Sequence, residues 1–135
     1  MTLYSYCLRF GSGAAPNPFW GVCTPAICKP GIRRSAIEGD WIVGLGSADS
    51  PIGNISHSAM YVMRVTRRPH TMEEYDRLCR ESLPGKIPDW DNPDFRRRAG
   101  DCIYGYSSRS RRPTLRRSIH SESNRERGLS GMNVL

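Results

Sequence analysis

Three short segments hold most of the residues that can do chemistry. Asn17-Pro-Phe-Trp-Gly21 carries an amide and two aromatic rings between a proline and a glycine. Cys28-Lys-Pro-Gly-Ile-Arg-Arg34 brings a thiol and three cations, and Gly39-Asp-Trp-Ile-Val-Gly-Leu-Gly-Ser47 adds a third ring, a hydroxyl and approachable backbone. These are the parts needed to hold a planar, phosphate-bearing ligand. A ring stacked on a base contributes about 1–3 kcal/mol, an Asn side chain both donates to and accepts from a base edge, and guanidinium forks match phosphate oxygens. The candidate contacts to a nucleotide or base are therefore Asn17, Phe19, Trp20, Lys29, Arg33, Arg34, Trp41 and Ser47. Each has a plainer alternative: Trp20 as a plug at one end of a barrel, Trp41 as core, the cations as a solvated face and Ser47 as a turn residue.

Catalysis is the rival class. Cys23 or Cys28 beside His57 or His120 would make a thiol nucleophile, since a thiol needs a neighbouring base or cation to ionise near neutral pH. Cys28, next to Lys29 and Arg33, and His120 are the alternative catalytic residues. Paired carboxylates at useful spacing, Gly-x-Gly-x-x-Gly and Gly-Lys-Ser/Thr are all missing, so the common cofactor and NTP enzymes have no signal and no cofactor is expected. Cys23 and Cys28 form at most one loose ligand pair and the three histidines are far apart, so no metal is expected either. An odd count of five cysteines argues for reduced thiols rather than a disulfide framework. With no apolar run near the ~20 residues of a membrane span and no signal-peptide pattern, the expectation is a soluble, cytoplasmic protein without membrane contact.

The elements that must position these residues read as a small α+β domain. At 135 residues the chain fits one domain with a single core. Residues 3–10 alternate apolar and polar side chains as a half-buried strand does, and the segment 24–29 reads as a short second strand ending at Pro30. Residues 32–37 read as a turn of helix. Trp41-Ile-Val-Gly-Leu45 is a strand entered through a Gly-Asp turn, and Gly44 and Gly46 in it predict a bulge or a close approach. Residues 59–66 form the strongest strand, expected antiparallel to it. Thr71-Met-Glu-Glu74 is a capping box that opens a helix over 72–82. Residues 100–104 repeat the Gly-Asp strand entry. The predicted fold is thus a curled, mostly antiparallel sheet or barrel with one or two helices.

The formal net charge of +7 is unevenly distributed. Residues 1–94 balance ten cations against ten carboxylates, whereas residues 95–127 hold ten arginines against Asp101, Glu122 and Glu126. This basic segment, from Arg96 to Arg127, can attract nucleic-acid phosphates without reading sequence; a solvated tail is the plainer alternative. The expected organisation is a core over 1–105 and an Arg/Ser-rich segment over 106–135.

The chain also resembles a family. Tyr4-Ser-Tyr6, Ala15-Pro-Asn-Pro-Phe-Trp-Gly21, Cys28-Lys-Pro30 followed by Ile32-Arg33, and Gly39-Asp-Trp-Ile-Val-Gly44 are similar, in order, to the nucleotide modification associated domain 2 family of phages and bacteria. The similarity runs from Leu3 to about Tyr75. It thins afterwards, although Gly100–Tyr104, Ser118–Ser121 and Gly131–Leu135 look like later blocks. Members of the family continue past the last of these into an aromatic segment, so this chain is either naturally short or lacks a final strand. The resemblance implies a part in making, recognising or handling modified bases, with a nucleotide or nucleic acid as partner. The Gly-Asp hairpin is further reminiscent of PUA-like and EVE-like barrels, which hold modified bases in an aromatic pocket, an analogy at the level of fold alone. The alternatives are an enzyme acting on a nucleotide or base through Cys28 or His120, and a basic-tailed structural or partner-binding protein. Oligomeric state is not readable from the sequence.

Overall fold

A computed structural model describes residues 1–27 and 29–120. The blocks expected at Ser121 and at residues 131–135, and the charges at Glu122, Arg125, Glu126 and Arg127, lie outside the described residues.

Strand β1 (Leu3–Leu8), β2 (Trp41–Gly46) and β3 (Ala59–Arg64) form one sheet in that order. β1 pairs with β2 in parallel, Leu3 opposite Trp41 and Leu8 opposite Gly46, while β2 and β3 are antiparallel, as expected. A parallel pair needs a crossover. Residues 9–40 supply it, and within them lies the short helix α1 (Pro30–Ser35). The buried Asp40 pins the start of this arrangement: its carboxylate accepts from Thr2 N at 2.6 Å and Ile37 N at 3.0 Å. Those amides, Ile37's foremost, hold its pKa below the usual carboxylate range.

The bulge foreseen in β2 is present. The register shifts between Gly44 and Leu45. A side chain at Gly44 would collide with the Tyr61 ring and Leu8, and one at Gly46 with the Ile55 carbonyl, so both positions need glycine for close approach. Alternation along the strands sends Tyr4, Tyr6, Ile42 and Met63 to an inner face that packs with Ile32, Ala36 and Val65. Trp41 and Val62 fall on the opposite, solvent-facing side, 37% and 56% exposed.

Helix α2 (Met72–Ser82) occupies the predicted span. Thr71 Oγ1 accepts from Glu74 N at 3.1 Å, and Glu74 Oε2 reaches back to His70 N at 2.7 Å. Met72, Tyr75, Asp76 and Cys79 are its buried face, at the spacing of one helical stripe. A 3-10 turn (Pro84–Lys86) and a short helix α3 (Phe95–Arg98) follow. Strand β4 (Tyr104–Ser107) and β5 (Ser110–Leu115) then form a separate antiparallel hairpin. It is fastened to α2 through Asp76, which accepts from Arg116 Nη2 at 2.5 Å, Arg80 Nε at 3.0 Å and Tyr106 N at 3.0 Å. Met72, Tyr75 and Cys79 bury against Cys102, Ile103 and Tyr104 as a second core.

The architecture is therefore α+β, with open sheets of three and two strands rather than a closed barrel. Residues 24–27 do not form the expected strand; Thr24 makes a single antiparallel bridge to Asn17. The strand expected from residue 100 begins only at Tyr104, because Gly100 and Asp101 lie against the 3-10 turn, where a side chain on Gly100 would sit 2.6 Å from the Lys86 carbonyl.

Candidate functional site

The loop over residues 13–25 is held on a buried polar frame. Asn17 is fully buried; its Nδ2 donates to the Ala99 carbonyl at 2.9 Å and its Oδ1 accepts from Phe19 N at 3.1 Å. Beneath it Lys86, also fully buried, donates from Nζ to Asn17 O at 2.7 Å, Asn17 Oδ1 at 3.0 Å and Val22 O at 2.7 Å. Burial lowers the Lys86 pKa, and the nearby Asp101 charge opposes that shift. Asp101 accepts from Thr24 Oγ1 at 2.6 Å and from the Tyr75 hydroxyl at 2.7 Å. Burial raises the pKa of its carboxyl, against the pull of Lys86. A buried polar group without a partner costs far more than a paired one gives, so this set of reciprocal bonds fixes the loop in one place.

Two clefts open between that loop and β3. The larger, about 370 Å³, is bounded by Val22 to Pro25 on the loop, by residues 63–67 on and after β3, and by Tyr75, Leu78 and Leu83 of the α2 region. Its walls are largely apolar, and among the described residues Arg64 and Arg67 are its only charged lining residues and no carboxylate lines it. No hydrogen bond or ion pair to a described residue holds either guanidinium. Past Arg67, Pro69 and Leu78 the cleft adjoins a polar recess of about 210 Å³ that carries Arg77 together with Glu38, Glu74 and Glu81. The second cleft, about 270 Å³, runs from Gly13 and Phe19 to Met60 and Tyr61. Cys23 lines both. Burial pushes the Cys23 thiol up to about 11 even with Lys86 nearby, so it is protonated at neutral pH and is a poor nucleophile.

The sequence model of the family described as nucleotide modification associated domain 2 matches residues 1–135. The chain belongs to this family. The match takes in the Arg-rich segment as well as the part up to Tyr75 where the resemblance is densest. No curated protein and no solved structure matches the chain.

Within this nucleotide modification associated domain the residues singled out from the sequence are dispersed. Phe19 lines the smaller cleft, its ring filling the space beside Gly13. Trp20, 37% exposed and at φ 67°, lays its ring on Gly85, with the Arg96 and Arg97 guanidinium carbons 5.4 and 5.7 Å from the ring centroid. Arg33 is fully buried and donates from Nη1 to the Ala26 carbonyl at 2.8 Å, so it ties α1 to the loop rather than facing solvent. Lys29 places Nζ 4.5 Å from the Tyr6 ring centroid, and Tyr6 in turn meets Tyr61 through a hydroxyl–hydroxyl hydrogen bond and an edge-on ring contact. Arg34 is exposed, its carbonyl accepting from Arg68 Nη2 at 2.7 Å. Trp41 and Ser47 line neither cleft; Ser47 Oγ accepts from Asp49 N at 3.1 Å within a turn.

Cys28 lies outside the described residues. His120 is 8% exposed with Nε2 buried and without a hydrogen-bond partner among the described residues, and burial lowers its pKa, opposed by the Ala99 carbonyl. Among the described residues no group of three or more His, Cys, Asp or Glu is placed to hold a metal ion, and no helix is long and apolar enough to cross a membrane. Much of the described basic segment serves the fold: Arg96 pairs with Asp94 at 2.8 Å, Arg98 Nη1 donates to the Asn92 and Pro93 carbonyls, and Arg117 lies 4.4 Å from the Trp90 ring centroid.

Sequence reasoning missed Lys86, Asp101, Arg64 and Arg67. Asp101 had a signal, since Gly100-Asp101 repeats Gly39-Asp40 and both aspartates are buried acceptors. Lys86 and the two cleft arginines had none, because each acts beside residues remote in sequence.

Proposed function

We propose that this nucleotide modification associated domain binds a nucleotide, or a base presented by nucleic acid, modified bases included, within a DNA or nucleotide base-modification system. The site is the larger cleft between β3 and α2. The observation that carries this reading is the cleft's lining: apolar walls suited to a planar base, with Arg64 and Arg67 beside them and no carboxylate among the described residues. Its volume of about 370 Å³ falls within the roughly 300–1,000 Å³ of small-molecule sites. Phe19 belongs to the adjoining cleft, while Asn17 and Arg33 support the loop from behind. Exposed or partly exposed, Trp20, Lys29 and Arg34 are peripheral contacts in this proposal. Trp41 and Ser47 have no support from the lining.

Equilibrium titration with nucleoside monophosphates tests it. Binding should exceed that of inorganic phosphate, and Arg67→Ala should weaken it roughly tenfold, the value of one charge-assisted contact. Because Arg67 is exposed, the unfolding midpoint should stay unchanged. Monophosphates that bind no better than phosphate, or an Arg67→Ala variant with full affinity, would refute the assignment.

A further inference from the structure

The two clefts are not independent hollows. Both are walled on one side by β3 and the residue just after it, Tyr61 in the smaller and Met63 and Val65 in the larger. On the other side both are walled by the 13–25 loop, and Cys23 is shared between them. Tyr61 and Val65 are four residues apart, about 13 Å along an extended chain. Each cleft has room for a ring, and neither has a carboxylate among its described lining residues, whereas Arg64 and Arg67 stand at one end. A groove with two apolar seats and a cationic end is complementary to an anionic chain that carries planar groups at intervals.

From this continuity we infer that the groove takes two successive nucleotides of a single strand, one base seated on each side of Cys23. The inference rests on the nucleotide-binding reading of the larger cleft and adds the smaller one as a second base seat, bounded by Phe19, Met60 and Tyr61. Duplex is disfavoured, because a base paired within a helix stack must first be unpaired and unstacked before it can enter a cleft between a loop and a strand.

The test compares a mononucleotide, the matching dinucleotide, a single-stranded oligonucleotide and its duplex at one ionic strength, with deoxyribose and ribose strands run side by side to separate the two sources. The dinucleotide should bind on the order of tenfold tighter than the mononucleotide, the effect of one more stacked base, and duplex should bind more weakly than single strand. Phe19→Ala should abolish the dinucleotide's gain and leave mononucleotide affinity intact. Met60→Trp, which narrows the same seat from the β3 side, should do likewise even if Phe19→Ala perturbs the loop. A dinucleotide no tighter than the mononucleotide, or duplex preferred to single strand, overturns the two-seat groove while leaving mononucleotide binding in place. Failure of the mononucleotide itself refutes the underlying site, and the groove with it.

Discussion

Asn17 and Lys86 carry the loop that both clefts share. Three Nζ–H donors meet three oxygens, and two of those oxygens belong to Asn17. Asn17→Ala leaves the Ala99 carbonyl and Phe19 amide without this partner and removes one Lys86 acceptor, so urea denaturation should show a loss of about 1–3 kcal/mol. Lys86→Met strands the Asn17 and Val22 carbonyls and leaves Asp101 without its nearby cation, for a loss of about 2–5 kcal/mol. Unchanged denaturation midpoints in both variants would contradict the anchoring role. The residue types in Asn17-Pro-Phe-Trp-Gly21 were legible as special, but their division of labour was not. A buried anchor and a base reader call for the same amide, and the partner that decides between them stands 69 residues away.

His120 gives the same scale a pH dependence. Burial depresses its pKa below 6.5 in the folded chain, so the unfolded chain binds the proton more readily. Stability from keeping the ring neutral is fully present above pH 6.5 and is lost as pH falls through the depressed folded value. Denaturation midpoints recorded from pH 8 to pH 5 should decline in the native chain and flatten in His120→Leu. Identical slopes would remove His120 as the source.

At the scale of elements, close approach recurs. Gly44 and Gly46 let β2 pass Tyr61 and Ile55, and Gly85 lets the 3-10 turn receive the Trp20 ring. A Cβ on Gly85 would stand 2.5 Å from Trp20 Cγ, so Gly85→Ala should cost about 1–3 kcal/mol and shift tryptophan emission as that ring moves; an unaltered spectrum and stability would count against the packing. Helix α2 and the β2 bulge were legible because each is specified locally, the helix by its capping box and apolar stripe and the bulge by its glycines. The β4–β5 hairpin was not. Its second strand, Ser110–Leu115, reads as a polar tail, and what holds it in place is the contact of Arg116 with Asp76, 40 residues back. Likewise Thr24 looked like the start of a strand, whereas its hydroxyl is committed to Asp101, 77 residues on.

For the whole molecule, the charge surplus of the C-terminal third is less available than its count implies, since Arg96, Arg98, Arg116 and Arg117 all have partners inside the fold. The cations that line the larger cleft instead lie in the charge-balanced part, at Arg64 and Arg67. The three-stranded sheet thus presents two faces. The inner one is roofed by the anchored loop and α1, and the outer one carries Trp41 and Val62 in solvent. Assigning recognition to the inner side is the central claim, and residue-resolved NMR of the labelled chain titrated with a nucleoside monophosphate tests it most directly. The account predicts shifts concentrated at Thr24, Met63, Val65, Arg67 and Leu78, with Trp41, Ser47 and Val62 unmoved. Shifts centred on Trp41 and Ser47, with the cleft residues silent, would contradict it.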